Sequence, residues 1–195
     1  MAILGDDRLF TLLETDGDAI ARGEPEVFAS GAVAELVERA AWAKVEVVSG
    51  DERDSGSRIN LNLGHSIGHA LEAAAGYRWL LHGEAVAYGL RGATRIGREL
   101  GLTPAGRAER IGSLLDRLGL APGRLRYPRS AVRDALGTDK KHAAGRLRWV
   151  LPTESGVAVH SDVPDALVEA ALDDLLGPDP LARPAAAVPP APATA

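Results

Sequence analysis

The amino-acid sequence predicts a mainly α, multihelical domain that contains one small β-hairpin. Apolar residues recur at helical spacing over most of the chain, and a period of two occurs only between about residues 147 and 159. The 195 residues, of which 46% are hydrophobic, are enough to bury the core of one ordinary domain. We assign that domain to residues 1–176. Residues 177–195 are rich in proline and alanine, and we predict that they form a disordered tail.

Two long helices follow from the periodicity, at about residues 31–48 and 84–100. The apolar stripe of the first contains Val33, Leu36, Val37, Ala40, Val47 and, against the pattern, Lys44. An ammonium group on an apolar face is costly unless it reaches water or an anion. The polar, glycine-punctuated segment 49–64 between the two helices is predicted to be a loop.

The next helix is predicted from residues typical of helix ends. Thr103 is expected to cap it, with Pro104 at its first position, and Gly119 is expected to end it. Two shorter helices complete the prediction, at residues 130–136, ended by Gly137, and at residues 165–176.

The hairpin is predicted from alternation. Large apolar side chains occupy every second position at Leu147, Trp149 and Leu151, and again at Val157 and Val159. Between these two runs the sequence PTESG is typical of a turn.

Composition excludes several classes of function. The net charge is -5, with 27 Asp and Glu against 22 Lys and Arg, which argues against a nucleic-acid partner. There is no cysteine, so a disulfide framework, a thiolate metal site and a cysteine nucleophile are excluded. No apolar run has the roughly 18 residues of a membrane span, and the first residues do not resemble a signal peptide. We therefore expect a cytoplasmic location and no membrane partner.

The segment from Asn60 to Gly89 contains three of the five histidines. His65 and His69 are four residues apart, so on a helix both rings project from one face, and His82 follows after a loop-like segment. With Glu72 and Glu84 nearby, this donor set suits a borderline cation such as zinc. Partly buried structural histidines are the alternative interpretation, and the spacing does not decide between the two.

Cationic residues suggest an anionic ligand. Lys44, Arg58 and the run Asp139-Lys140-Lys141-His142 could bind one together, although charge runs are usually solvated faces. Spacing alone thus yields a candidate histidine-based metal site in a helical domain, with an anion as a candidate ligand, and it names no reaction.

At these residues the sequence resembles a known family. The run KVEVVSGDERDSGSRINLNLGHSIGHALEAAAGYRWLLHGEAVAYGL resembles the signature block of 3-dehydroquinate synthases, with its internal spacings kept. The run TDKKHAAGRLRWVLP resembles a second family segment, and the resemblance extends over about residues 1–176. It implies the helical C-terminal domain of the dehydroquinate synthase-like fold.

The resemblance also implies roles for individual residues. His65 and His82 would hold Zn2+ or Co2+ together with a family glutamate, and His69 would lie against the substrate. His69 and Lys44 are implied in catalysis. The residues implied in binding an acidic sugar phosphate are Lys44, Arg58, Asn62, His69, and one of Lys140 and Lys141.

The implied reaction converts 3-deoxy-D-arabino-heptulosonate 7-phosphate to 3-dehydroquinate and phosphate in the shikimate pathway, with NAD as a cofactor. No glycine-rich nucleotide turn occurs in the 195 residues. We therefore expect the NAD contacts and the family glutamate to come from an N-terminal half, supplied in trans, and we expect a homodimer. The alternatives are a non-catalytic remnant that binds metal, and a related sugar-phosphate cyclase.

Overall fold

Eight α-helices and one β-hairpin make up the described part of this computed structural model, which covers residues 1–50, 57–142 and 147–178. The helices are α1 (Asp7–Arg22), α2 (Pro25–Ala29), α3 (Ala32–Ser49), α4 (His65–Ala74), α5 (His82–Glu99), α6 (Ala105–Arg117), α7 (Arg129–His142) and α8 (Asp165–Leu175). The strands are β1 (Trp149–Pro152) and β2 (Val157–His160). The mainly α fold class with one hairpin is confirmed.

The core lies around α5. Helix α4 packs along one side of α5, helix α8 and strand β1 pack on others, and α7 covers α4. Ile67 and Leu71 from α4, Ile96 from α5 and Leu172 from α8 are almost completely buried there. Burying each such side chain contributes about 1.5–3 kcal/mol, so this packing holds α4 and α5 in one fixed relation.

The first thirty residues form helices for which the sequence analysis made no prediction. The Asp6 carboxylate caps α1 by accepting a hydrogen bond of 2.8 Å from the Leu9 backbone N–H. Gly23 ends α1 in the left-handed conformation, with φ of 68°. Both residues are ordinary helix-end signals that the sequence already contained. Phe10 is fully buried, and α1 packs against α3 and α6.

Helix α3 lies within one residue of its predicted bounds, and its predicted apolar stripe is only partly buried, because Leu36 and Ala40 pack against the core whereas Val37 faces solvent. No α3 residue is buried, and Val37 and Trp42 are 59% and 63% exposed. Lys44 is exposed as well, so its ammonium group reaches water without cost. The segment after α3 is only partly a loop, because residues 57–62 form a 3-10 helix and residues 51–56 lie outside the described part.

Thr103 does not cap α6, contrary to the prediction. Pro104 occupies the N-cap position without a side-chain cap, and the buried Thr103 hydroxyl donates a 2.5 Å hydrogen bond to the Pro152 carbonyl oxygen. The Thr103 hydroxyl therefore donates to a distant carbonyl in the hairpin and does not accept a hydrogen bond from a backbone N–H of α6, as a helix cap would. The predicted stop at Gly119 is confirmed, because its φ of 65° and the bond from the Leu120 N–H to the Leu115 carbonyl close the helix end.

Gly137 does not end α7, which continues to His142. A glycine inside a helix weakens it by about 1 kcal/mol but does not stop it. Packing of α7 against α4 provides the compensating contacts. The predicted boundary at Gly137 was therefore wrong.

The hairpin is confirmed, with Trp149 paired to His160 and Val150 to Val159 in antiparallel register. Strand β1 is buried at all four positions and not on alternate ones, because α5 packs against it. The final helix, α8, follows Pro164 as predicted. The predicted tail lies outside the described residues from position 179 onward. None of the described helices has both the length and the apolarity needed to cross a membrane.

Candidate metal and substrate site

Three imidazole rings converge where α4 and α5 begin. His65 is the first residue of α4, His69 lies one turn later, and His82 is the first residue of α5. The ring centroids of His65 and His69 are 5.3 Å apart, those of His65 and His82 are 5.3 Å apart, and those of His69 and His82 are 5.9 Å apart. Helix α5 starts two residues before its predicted position, which places His82 on the helix and not in the preceding loop.

Two glycines allow this convergence. Gly64 precedes His65 with φ of 79°, and a Cβ atom there would lie 2.9 Å from the Leu90 backbone nitrogen. A Cβ atom on Gly89 would overlap the Gly64 carbonyl oxygen. Only residues without a side chain permit such an approach, so this contact sets the start of α4 directly on α5.

The hydrogen-bond partner of His65 determines which ring nitrogen can bind a ligand. Its Nδ1 lies 3.2 Å from the Leu63 carbonyl oxygen, which can only accept, so Nδ1 carries the proton and Nε2 keeps a lone pair. Burial of the half-buried ring lowers the pKa of His65, and the neighbouring His69 and His82 lower that pKa further. The Leu63 carbonyl opposes this shift. The ring is therefore neutral at neutral pH, as a metal ligand must be.

Glu72 joins the histidine cluster. Both of its carboxylate oxygens lie 3.2 Å from Nδ1 of His82. Donor atoms of His69, Glu72 and His82 all lie within 4.8 Å of one another, which is close enough for one ion. Glu84, the other acid considered from the sequence, accepts a 2.9 Å hydrogen bond from the Leu81 backbone N–H and thereby caps α5.

A cavity of about 810 Å³ beside His65 brings together three of the predicted substrate-binding residues. Lys44, Arg58 and Asn62 line it together with His65. Arg148 lines it too, although the sequence analysis assigned that residue no role. None of the described residues that line this cavity is acidic, so three cationic side chains favour an anionic ligand there.

A second cavity of about 610 Å³ is lined by His69, Glu72 and His82 and by two residues of α7. The structure thus divides the predicted site residues between two cavities, because His65 lines the first and His69 and His82 line the second. Lys140 and Lys141 lie in the last turn of α7, the helix that packs against α4, and their side chains are outside the described part.

The predicted roles of the individual histidines remain predictions. The rings of His65 and His82 are close enough to converge on one ion, but His69 lies about as near to each of them. The distances between the rings therefore do not show which two histidines bind the ion and which one faces the substrate. Sequence reasoning missed Arg148 because no local pattern links it to Lys44, Arg58 and Asn62, which lie 86 to 104 residues away along the chain.

Comparison with known proteins decides the family. The family model described as 3-dehydroquinate synthase C-terminal matches residues 1–142. This chain belongs to the 3-dehydroquinate synthase family. The 3-dehydroquinate synthase of Nostoc punctiforme is 39% identical over 178 residues, which are 89% of this chain and 47% of that protein. The 3-dehydroquinate synthase of a Synechococcus species is 41% identical over 146 residues, which are 73% of this chain and 39% of that protein.

Two solved structures share the fold of this chain. The 2-epi-5-epi-valiolone synthase of Streptomyces hygroscopicus, solved with NAD+ and Zn2+ bound, is similar with a TM-score of 0.73 and 28% identity, over 87% of this chain and 46% of that one. A 2-deoxy-scyllo-inosose synthase has the same fold, with a TM-score of 0.61 over 72% of this chain and 40% of that one. The chain spans about half the length of the curated relatives it matches.

Proposed function

We propose that this chain forms the metal- and substrate-binding half of a 3-dehydroquinate synthase, which converts 3-deoxy-D-arabino-heptulosonate 7-phosphate to 3-dehydroquinate and phosphate. The observation that supports it most is the position of His65. Its ring belongs to the histidine cluster and also lines the cationic cavity that contains Lys44 and Arg58. A metal-binding group and an anion-binding surface therefore meet at one residue.

The donor set fits Zn2+ or Co2+. His65 presents an Nε2 lone pair with the His82 ring 5.3 Å away, and the chain contains no competing thiol. His69, Glu72 and His82 supply further donor atoms within 4.8 Å of one another. His65 and His82 would hold the ion, and a carboxylate would complete three protein ligands. When bound, the ion supplies Lewis acidity that lowers the pKa of a substrate hydroxyl.

The remaining site residues would bind and orient the substrate. Lys44, Arg58 and Arg148 would hold its carboxylate and phosphate, and Asn62 would bind its hydroxyls by hydrogen bonds. Binding at both charged ends fixes one orientation for each step of the reaction. His69 would exchange a proton with a phosphate or hydroxyl oxygen, and Lys140 or Lys141 would add a further positive charge.

The reaction also needs NAD. We propose that the NAD-binding surface and the family's carboxylate ligand belong to the half of the full-length relatives that this chain does not span. That half would act as a further segment or in trans. The predicted homodimer and cytoplasmic location remain predictions.

Phosphate release from the keto-acid phosphate, with NAD+ and Zn2+, tests the proposal. We expect turnover when an amino-terminal half from the Nostoc relative is added to this chain. The variants His65→Ala and His82→Ala should reduce turnover by at least about 100-fold, because each removes a ligand. His160→Ala, on β2 and outside the cluster, is the matched control. Normal Zn2+ binding without turnover would instead support the non-catalytic metal-binding alternative.

A related sugar-phosphate cyclase is the second candidate, supported by the likeness to the valiolone synthase. The same assay with sedoheptulose 7-phosphate separates the two. Faster turnover of that substrate than of the keto-acid phosphate would favour the related cyclase.

A further inference from the structure

We propose that Glu72 is a positioning residue, whose carboxylate fixes the tautomer and the ring orientation of His82 so that Nε2 faces the metal. This inference rests on the proposed function, in which His82 is a metal ligand. It assigns to His82 a hydrogen-bond partner that does not itself bind the metal. Metal-binding histidines commonly donate their second ring N–H to a carboxylate or a carbonyl.

The hydrogen-bond geometry carries the inference. Both oxygens of Glu72 lie 3.2 Å from Nδ1 of His82, so the carboxylate is centred on that one nitrogen. An ionised carboxylate can only accept, which places a proton on Nδ1, so in the neutral ring the lone pair is on Nε2. His65 has the same arrangement, with its Nδ1 directed at the Leu63 carbonyl. Both rings thus keep the same nitrogen available.

Burial shows which partner positions the other. The Glu72 side chain is 13% exposed, whereas the His82 side chain is 58% exposed. An exposed ring on the first turn of a helix has few contacts of its own to hold it. The more buried carboxylate therefore restrains the ring, and not the reverse.

The backbone makes this restraint rigid. Glu72 lies on α4, and α4 contacts α5 closely through glycines. A Cβ atom on Gly68 would lie 3.3 Å from the backbone of Ala85 and Val86, so the two helices are almost in backbone contact. Glu72 therefore reaches His82 from a helix that cannot shift easily relative to α5.

Direct coordination by Glu72 is the competing role, because its oxygens lie within 4.8 Å of donor atoms of His69 and His82. The Nδ1 contact favours positioning, since a ring that donates from Nδ1 binds a metal only through Nε2. The two roles predict different effects of substitution.

The first experiment is nitrogen-15 NMR of the imidazole rings in the metal-free chain. We expect the Nδ1–H tautomer for His82 in the wild type and a shift toward Nε2–H in Glu72→Ala. Glu109→Ala, which removes an exposed glutamate on α6, should leave the His82 signals unchanged. A wild-type His82 in the Nε2–H form would overturn the proposal whether or not the chain binds metal.

The second experiment measures Zn2+ affinity by competition with a chromophoric chelator, and the ligand set by the visible spectrum of bound Co2+. We expect Glu72→Ala to weaken Zn2+ binding by about 10–100-fold while the Co2+ spectrum keeps its shape. Glu72→Gln, whose amide oxygen still accepts from Nδ1–H, should lose less. Circular dichroism checks that each variant is folded.

Two outcomes would overturn the positioning role. Unchanged Zn2+ affinity in Glu72→Ala would show that the restraint has no effect on the metal. A loss equal to that of His82→Ala, together with an altered Co2+ spectrum, would make Glu72 a ligand. Failure of the wild type to bind Zn2+ would count against the proposed function, whereas the tautomer measurement would still decide whether Glu72 positions His82.

Discussion

The backbone of Gly64 lies against Gly89, so close that a side chain on Gly89 would overlap the Gly64 carbonyl oxygen. This contact joins the residue before His65 to the middle of α5, the helix that begins with His82. The distance between the rings of His65 and His82 therefore depends on two residues that have no functional group of their own.

We expect Gly89→Ala to lower the free energy of unfolding by at least about 3 kcal/mol and to weaken Zn2+ binding. The added methyl group meets backbone atoms, which cannot rotate away, so α4 must move from α5. Urea denaturation and metal titration measure the two effects.

Gly112→Ala is the matched control, because Gly112 is also helical and a Cβ atom there meets nothing within 4 Å. It should raise stability by about 0.5–1 kcal/mol through the lower entropy of the unfolded chain. Equal destabilisation by both variants would show that the Gly64–Gly89 contact has no special role.

Thr103→Val should destabilise the protein by about 1–3 kcal/mol. Valine has nearly the same shape, but it leaves the Pro152 carbonyl without the 2.5 Å hydrogen bond in a buried position. Thr103→Ser retains the hydroxyl and should cost less. Urea denaturation compares them, and a larger loss in the serine variant would show that the methyl group matters more than the hydrogen bond.

Arg148→Gln should weaken binding of inorganic phosphate to the isolated chain by about tenfold, or about 1.4 kcal/mol. Arg148 lines the cavity with Lys44 and Arg58 and contributes one of its three cationic side chains. Phosphate titrations followed by NMR measure this. Arg124→Gln, an exposed arginine that lines a different cavity, is the control, and equal losses would indicate only a general effect of charge.

Glu14 provides a test of pH dependence. Paired hydrogen bonds of 2.9 and 2.7 Å from Arg110 lower the pKa of this carboxyl. A group whose pKa is lower in the folded state stabilises it above the unfolded pKa, about 4.3, and this contribution is lost as the pH falls through the folded pKa.

At pH 7 the variant Glu14→Gln should therefore be less stable than the wild type by under about 1 kcal/mol, because both side chains of the pair are partly exposed to solvent. The difference should shrink between about pH 5 and pH 3. Urea denaturation over that range checks the sign. A difference that stays constant with pH would contradict the assigned cause of the pKa shift.

Helices and their ends could be predicted where the signal is local. The stop at Gly119 and the start after Pro164 follow from conformational preferences of single residues. Gly137 shows the limit, because packing against α4 outweighs the local cost of glycine. Thr103 shows a second limit of local prediction, because its hydroxyl donates a hydrogen bond to a carbonyl 49 residues away along the chain.

The sequence by itself determined the fold class, the family and the identity of the cluster histidines, because helical periodicity and motif spacing are properties of neighbouring residues. Only the tertiary structure decided that Arg148 shares a cavity with Lys44 and that Glu72 contacts His82. These contacts join residues from separate elements, and the contact between Glu72 and His82 depends on how closely α4 and α5 approach. Backbone packing sets that distance, and no local pattern encodes it.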